Sequence, residues 1–170
     1  GGRVVMEALR SLEKQSWQDM EVIVVDNGSA DGSDRAIERD FEVDVIRLGN
    51  NTGFAEANNI GAEASSAPYI ALLNSDAKAH QDWLGALVGH METCGNDVVA
   101  LSSKILLKDS NLIESIGLAL ARDGTTVLVG YGSPMQEYNV PSPVLSPSGA
   151  ACLYRRSVFT ALGGLDTRFF

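Results

Sequence analysis

The chain has 170 residues, 45% of them hydrophobic, which is enough for one globular domain with a hydrophobic core. Its formal net charge of -9 argues against nonspecific nucleic-acid binding, which requires clusters of lysine and arginine. Cys94 and Cys152 lie far apart without a CxxC spacing, which argues against structural zinc and indicates reduced, buried thiols of an intracellular protein. No window approaches the ~18 apolar residues of a membrane span, and no signal-peptide pattern is visible.

The spacing of apolar residues predicts alternating helices and strands in the first hundred residues. In chain order these are helix 3–14, strand 21–26, helix 33–41, strand 43–48, helix 54–65, strand 69–74, helix 82–94 and strand 98–101. Such alternation is typical of βαβ units and of an open α/β sheet whose strands are mostly parallel.

The pattern changes in residues 102–148, which lose helical periodicity and gain glycine, serine and proline. A short strand is predicted at 127–129, and residues 131–148 read as a long loop with little regular structure, of a kind that often binds ligands. Residues 150–154 predict a further strand, and residues 156–162 predict a helix that ends at a Gly-Gly pair.

Two of the predicted strands have no polar face and stop abruptly at acidic residues. Strand 21–26 ends in Asp26, and strand 69–74 is followed by Ser75 and Asp76. An uninterrupted apolar run indicates a strand buried on both sides. Because ligands bind beyond the carboxyl ends of the strands in open α/β sheets, the two carboxylates are expected at one crevice, where they can hold a nucleotide and its metal.

Each of these polar groups also has a structural alternative. Asp26 can accept hydrogen bonds from a nucleobase or a ribose, or it can belong to a strand-to-helix turn rich in Asx and glycine. Asp76 can be a hard oxygen ligand for Mg²⁺ or Mn²⁺, or it can cap the next helix together with Ser75. One of the adjacent Asn58 and Asn59 can line the crevice, or one can be exposed while the other binds a neighbouring loop.

Three basic residues are weaker candidates. His80 follows Asp76 closely enough to approach a metal, but a solvated histidine at the start of a helix is the simpler interpretation. Arg155 and Arg156 follow an apolar strand and can meet a phosphate, although such a pair is more often surface charge.

Short motifs in a fixed order cover nearly the whole chain. They are Val25-Asp26-Asn27-x-Ser29-x-Asp31-Gly32-Ser33, Asn51-x-Gly53-Phe54-Ala55 with Asn58-Asn59-x-Gly61, Leu73-Asn74-Ser75-Asp76, Ser148-Gly149-Ala150-Ala151 with Tyr154-Arg155-Arg156, and Gly163-Gly164-Leu165-Asp166 to Phe169-Phe170. No single motif is specific, but the ordered set resembles the inverting family 2 glycosyltransferases, which have the GT-A fold. The bacterial rhamnosyltransferase-like branch is nearest.

The resemblance implies a GT-A-type, Rossmann-like open sheet flanked by helices, in one domain over residues 1–170. Residues 1–101 would form the nucleotide-binding part and residues 102–170 the acceptor and sugar side. The implied reaction transfers a glycosyl group from a dTDP- or UDP-sugar to a hydroxyl of a saccharide or lipid-linked acceptor, in cell-surface polysaccharide or glycolipid synthesis. A divalent cation, Mg²⁺ or Mn²⁺, would assist, and the location would be cytoplasmic, at the inner face of the membrane, with peripheral association of the full-length protein.

The resemblance also assigns site residues. Asp26 would contact the base of the donor, and Asp76 matches the last Asp of the family's DxD motif, which meets the metal and diphosphate. Asn74 stands in place of the first Asp of that motif, and Asn58 stands where many members carry Arg. The donor-nucleotide set is Asp26, Asn27, Ser29, Asn51, Gly53, Asn58, Asn74, Ser75 and Asp76, and the sugar and acceptor side is Ser148, Gly149 and Ala150.

The resemblance further implies that both ends of the domain are missing. The family begins with an apolar strand that would precede Gly1, and its catalytic base would follow Phe170, since Asp166 precedes the expected position. A missing central strand predicts an exposed gap in the sheet, which favours aggregation or pairing with another chain.

The alternative function is a non-catalytic nucleotide-sugar-binding or interaction domain on the same fold. A nucleotidyltransferase is a weaker third hypothesis, because the Gly-rich N-terminal loop expected of that class is not visible in the sequence.

Overall fold

The structure is a computed structural model, and it describes residues 2–169. Its helices and strands are, in chain order, α1 Gly2–Leu12, β1 Ile23–Asp26, α2 Ser33–Asp40, β2 Asp44–Arg47, α3 Phe54–Ala64, β3 Tyr69–Leu73, α4 Trp83–Thr93, β4 Ala100–Ser102, β5 Ile105–Leu106, β6 Ile113–Ser115, β7 Leu118–Leu120, β8 Thr126–Leu128, β9 Ala151–Arg155 and α5 Arg156–Ala161. The predicted elements of the first hundred residues are all present, with ends shifted by a few residues.

The segment 102–148 holds more regular structure than its composition predicts. Strands β5 and β6 pair antiparallel, as do β7 and β8, and a 3-10 turn at Met135–Glu137 interrupts the long loop. These strands have two or three residues each, which is too short for an alternating hydrophobic pattern to be visible in the sequence.

The α/β class is confirmed, but the sheets are mixed rather than mostly parallel. Strands β1 and β2 pair in parallel, with Ile23 opposite Asp44. Strand β9 lies between β3 and β4 and runs antiparallel to both. It enters from the opposite direction because the preceding loop returns the chain to the end of the sheet where β3 stops, so that Ala151 lies opposite Leu73.

A groove separates the two sheets. Among the described residues β1 and β3 belong to different sheets, and a cavity of about 1100 Å³ lies between them. Its walls are β1, β3 and the apolar face of α1 that carries Val5, Leu9 and Leu12. The expectation that both strands are buried on both sides is therefore wrong, since every residue of β1 is only partly buried and Ala71 of β3 is exposed. The predicted gap in the sheet is present.

The core consists of two layers that cover the faces of the β3-β9-β4 sheet. One layer contains Ala62, Ile70, Leu72, Cys152 and Phe159, and the other contains Leu84, Val88, Met91 and Leu153. Both cysteines are free, as predicted, although Cys94 is only half-buried. Burial raises the pKa of the Cys152 thiol to about 11, so this side chain remains neutral over the physiological range.

Arg155 and Arg156 each close the C-terminal end of a helix. The Arg155 guanidinium donates from Nε to the Val98 carbonyl (2.9 Å) and from Nη2 to the Met91 carbonyl of α4 (2.9 Å). Arg156 donates from Nη1 to the Ala62 carbonyl of α3 at 3.0 Å, and from Nε to Ala67. The last carbonyls of a helix lack intrahelical partners and carry partial negative charge. The pair is therefore neither loose surface charge nor free to meet a phosphate.

None of the helices within residues 2–169 combines the length and apolar character needed to cross a bilayer.

Candidate functional site

The upper end of the groove, where β1 and β3 stop, forms a polar crevice. The side chains that line it are Asn27, Phe54, Asn58, Asn74, Ser75 and Asp76. They follow the carboxyl ends of β1 and β3 or lie in the first turns of α3, as the strand-end argument predicts. Five of the predicted donor-site residues thus share one crevice. Of the other four, Asp26 is the last residue of β1, and Ser29, Asn51 and Gly53 lie in the loops after β1 and β2.

Asp26 and Ser29 form a tight turn at the end of β1. The Asp26 Oδ1 accepts a hydrogen bond from the Ser29 backbone N–H, three residues further along the chain, at 3.1 Å, and this bond closes the turn. Gly28 adopts φ +85°, and a Cβ there would come within 2.8 Å of the Asn50 carbonyl carbon, so only glycine fits. Asp26 itself is half-buried beside the crevice.

Asn27 ties the loop after β1 to the loop after β2. Its Nδ2 donates to Asn51 Oδ1 (3.0 Å) and to the Gly53 carbonyl (3.1 Å). Its Oδ1 accepts from the backbone N–H (2.8 Å) and the hydroxyl (3.1 Å) of Thr52. Asn51 Oδ1 in turn accepts from the Gly53 N–H at 2.9 Å. These side chains hold together the loops that position Asp26 and the start of α3.

The segment 74–76 forms a turn, and its carboxylate is exposed. The Ala77 N–H donates to the Asn74 carbonyl at 3.0 Å. The next helix begins only at Trp83, with Asp82 at its N-cap position, so the alternative that Ser75 and Asp76 cap that helix is wrong. Within the described residues Asp76 forms neither an ion pair nor a side-chain hydrogen bond.

The two asparagines of α3 have different partners. Asn58 donates to the Phe54 carbonyl at 2.8 Å and lines the crevice. Asn59 binds the backbone of Leu165 in both directions, donating to its carbonyl (2.8 Å) and accepting from its N–H (2.7 Å). The first amide therefore lines the crevice and the second holds a distant loop, while both residues are half-buried, so the expectation that one of them is exposed is wrong.

The segment Ser148–Ala150 lies against the crevice. The Asn74 N–H donates to the Ala150 carbonyl at 2.8 Å, which joins the sugar-side segment to the end of β3. Ser148 is held from the other side by Ser102, whose hydroxyl accepts from the Ser148 N–H at 3.1 Å. Gly149 packs under the Phe54 ring, where a Cβ would come within 3.1 Å.

Phe54 lines the crevice, although no role was predicted for its side chain. Its side chain is 46% exposed although it is a large apolar group. The signal was an aromatic residue at the first position of an alanine-rich helix, directly after the glycine that starts that helix. An exposed ring beside polar groups can stack on a planar or sugar ligand.

Asp76 is the charged side chain of the crevice, and the other acidic residues line the rest of the groove. Among the described residues the groove lining contains Asp19, Glu21, Asp76 and Glu92 but no lysine, arginine or histidine. A diphosphate at this place therefore needs a cation of its own. Mg²⁺ is commonly held by one or two carboxylates together with substrate phosphates, and Asp76 with the Asn74 amide fits such a donor set. A cage of three or more His, Cys, Asp or Glu side chains is not found within residues 2–169.

Asp166, the acidic residue closest to the end of the chain, is engaged elsewhere. Arg168 donates to both of its carboxylate oxygens, with Nη2 at 2.6 Å from Oδ2. The Arg168 guanidinium lowers the pKa of Asp166, which makes the carboxylate a weaker base.

The fold defines the class of protein, which is GT-A-like. A mannosyltransferase from Pyrobaculum calidifontis, solved with GDP-Man and Mn²⁺, superposes with a TM-score of 0.69 at 20% identity over 98% of this chain and 45% of its own. TarS 1-349 of S. aureus, solved with UDP, superposes with a TM-score of 0.68 at 17% identity over 98% of this chain and 47% of its own.

The chain belongs to Glycosyl transferase family 2, whose domain matches residues 3–163. Glycosyltransferase GlyG of Streptococcus pneumoniae is 30% identical over 102 residues, which are 58% of this chain and 34% of that protein. The glucosyl-dolichyl phosphate glucuronosyltransferase of Haloferax volcanii is 26% identical over 170 residues, which are 95% of this chain and 50% of that protein. The chain thus spans half the length or less of these relatives.

Proposed function

We propose that this chain is the donor-binding part of a metal-assisted, inverting glycosyltransferase. It would take a glycosyl group from a nucleotide-diphosphate sugar, with dTDP- and UDP-sugars as first candidates, and transfer it to an acceptor hydroxyl. The observation that carries the proposal is the exposed Asp76 just beyond β3, which has no ion-pair partner among residues 2–169 and lies beside Asn74 and the Ser148–Ala150 segment. Family membership supports the reaction class.

Each crevice group has a distinct role in this proposal. Asp76 holds the cation that neutralises the diphosphate, and the bound cation would stabilise the negative charge that develops on the leaving diphosphate. Asp26, fixed by its turn, accepts hydrogen bonds from the base, while Asn27 and Asn51 keep that turn in place. Asn58 offers its amide to the diphosphate, at a crevice whose described lining has no cationic side chain.

The remaining assignments follow from the resemblance. Residues 1–101 would form the donor part and residues 102–170 the sugar and acceptor side, within a rhamnosyltransferase-like branch. The acceptor would be a saccharide or a lipid-linked saccharide of the cell surface, met on the cytoplasmic side of the membrane with peripheral association. We expect the catalytic base to be a carboxylate that follows Phe170 in the full-length protein, because Asp166 is ion-paired with Arg168.

The proposal is tested by titrating the full-length protein with UDP and dTDP, with and without Mn²⁺, by calorimetry. We expect Mn²⁺ to strengthen nucleotide binding. In the presence of Mn²⁺, Asp76→Asn should weaken nucleotide binding at least about tenfold, because contacts to charged groups contribute ~1.5–3 kcal/mol. Glu63→Gln, an exposed change on α3, is the matched control and should leave binding unchanged. Nucleotide binding that is equally tight without metal and in Asp76→Asn would contradict the proposal.

A second candidate is a non-catalytic nucleotide-sugar-binding domain, favoured by the pairing of Asp166 with Arg168. The two functions share donor binding and differ in turnover. Release of nucleoside diphosphate from the donor sugar, dependent on an added saccharide acceptor, would establish the transferase and exclude the binding module.

A further inference from the structure

A second cleft lies on the other side of α1 and is independent of the proposed function. It has a volume of about 600 Å³ and is lined by Glu7, Arg10, Ser11 and Lys14 of α1 and by the segment 78–81. These α1 positions are three or four residues apart, so they share one helix face, whereas Val5, Leu9 and Leu12 face the groove. The two cavities have no lining residue in common.

The walls of the cleft are held together by hydrogen bonds between distant parts of the chain. The Ala79 N–H donates to Ser11 Oγ at 3.0 Å. Gln15, a buried side chain, donates to the His80 carbonyl at 2.7 Å, and the Ser16 N–H donates to the Gln81 carbonyl at 2.8 Å. The segment 78–81 is therefore fixed to the end of α1. A preformed cleft binds its ligand with less loss of entropy.

The charge of the cleft is opposite to that of the chain. Arg10, Lys14 and Lys78 face it against one carboxylate, Glu7, in a protein of net charge -9. Within residues 2–169 these three cations form neither an ion pair nor a hydrogen bond, whereas other arginines of the chain are engaged, namely Arg39, Arg47, Arg155, Arg156 and Arg168. The three cations are therefore available to a ligand.

His80 supplies a further donor. Its Nδ1 accepts a hydrogen bond from the Asp82 N–H at 3.2 Å, so the neutral ring carries its proton on Nε2. The side chain is 77% exposed at the edge of the cleft. A guanidinium, two ammonium groups and an imidazole N–H together match an anion with several oxygens and a charge of two or more.

We propose that this cleft binds a phosphate-bearing anion, a phosphomonoester or a diphosphate, without a divalent metal. Two sources share this chemistry, a soluble phosphate compound and the phosphate of a lipid headgroup. The cations of the cleft are all exposed, so both sources can reach them.

The test uses the full-length protein in EDTA at low ionic strength. Inorganic pyrophosphate is titrated by calorimetry, and vesicles of phosphatidylcholine with phosphatidic acid are tested by cosedimentation. We expect binding to weaken about fivefold for each of Arg10→Gln, Lys14→Gln and Lys78→Gln, since one basic residue near a phosphate surface contributes ~1 kcal/mol. Glu7→Gln should strengthen binding by a similar factor, and added salt should weaken it.

Matched controls separate this cleft from the crevice. Arg122→Gln removes an exposed cation elsewhere and should leave binding unchanged, while EDTA keeps metal-dependent binding at the crevice out of the measurement. Pyrophosphate binding with the expected variant effects supports the proposal and identifies the ligand as a soluble phosphate compound. Vesicle binding alone, with the same variant effects, supports the proposal and identifies the ligand as a lipid headgroup. Absence of both kinds of binding, or a loss in Arg122→Gln equal to that in Lys78→Gln, overturns the proposal. Lys78→Gln lies in a loop and serves as the deciding variant if changes in α1 impair folding.

Discussion

The side-chain amide of Asn27 uses both N–H groups and its oxygen on the loop that follows β2. An amide offers two donors and one oxygen with two lone pairs, so these four hydrogen bonds satisfy it fully. A ligand would have to displace one of them. The contribution of Asn27 to donor binding is therefore expected to be indirect, through the geometry of the loops beside the crevice.

Asn27→Asp tests this role with an almost isosteric change. The carboxylate still accepts from Thr52 but can no longer donate, so Asn51 Oδ1 and the Gly53 carbonyl each lose the hydrogen bond from Asn27 and face a negative charge. We expect the free energy of unfolding to fall by ~1–3 kcal/mol in urea titrations. Asn96→Asp, an exposed change of the same chemistry, should alter it little. Equal stability of both variants would show that the Asn27 network contributes nothing.

Several residues of the crevice were predictable because polar groups that follow apolar strands lie at the carboxyl-end edge of an α/β sheet, where ligands bind. Asp76 and Asn74 were found in this way. The difference between Asn58 and Asn59 was not predictable, because it depends on Leu165, 106 residues away from Asn59 in the sequence. Phe54 was missed because an apolar residue at the start of a helix normally indicates packing rather than an exposed ring.

At the scale of elements, the adjacent Arg155 and Arg156 stabilise two different helices. Arg155 is the last residue of β9 and Arg156 is the first residue of α5, at a point where the chain passes between the C-termini of α3 and α4. One guanidinium therefore reaches Met91 and the other reaches Ala62. The sequence shows the basic pair but not its partners, which lie 64 and 94 residues earlier in the chain.

Substituting each arginine by lysine keeps the charge but removes the planar fork of donors. We expect Arg155→Lys and Arg156→Lys each to lower the free energy of unfolding by ~1–3 kcal/mol. Amide hydrogen exchange should rise in the last turn of α4 for the first variant and in the last turn of α3 for the second. Arg122→Lys is the control. Exchange that rises equally at both helix ends in both variants would contradict the assignment of one arginine to one helix.

The helices and strands of residues 3–101 were predictable because each lies in a segment of at least four residues whose apolar residues show a helix or strand pattern. The strands of 102–148 have no more than three residues, and they exist through contacts with each other, such as Ser115 opposite Ile105. Local propensity carries little information about such short pieces. The antiparallel direction of β9 was not predictable from the sequence either, because it depends on the path of the long loop that precedes the strand.

At the scale of the whole molecule, the groove has many apolar side chains in its wall and lies between two strands, β1 and β3, that are not paired with each other. Strands β1 and β3 each carry backbone groups toward the groove that no described residue pairs in a sheet. Unpaired strand edges beside apolar surface readily accept another strand. The groove and the crevice are continuous, so what occupies the first influences the second.

We therefore predict that residues 1–170, produced alone, associate with themselves and bind the dye ANS. Light scattering after size exclusion should show species larger than a monomer whose fraction grows with concentration. Ala71→Lys places a charge on the exposed groove face of β3 and should reduce both association and dye fluorescence, because edge charges oppose strand pairing. Ala86→Lys, an exposed change on α4, adds the same charge away from the groove and should change neither. A monomer at all concentrations without dye binding would mean that the groove is closed in solution, and the two strands would then have to pair with each other.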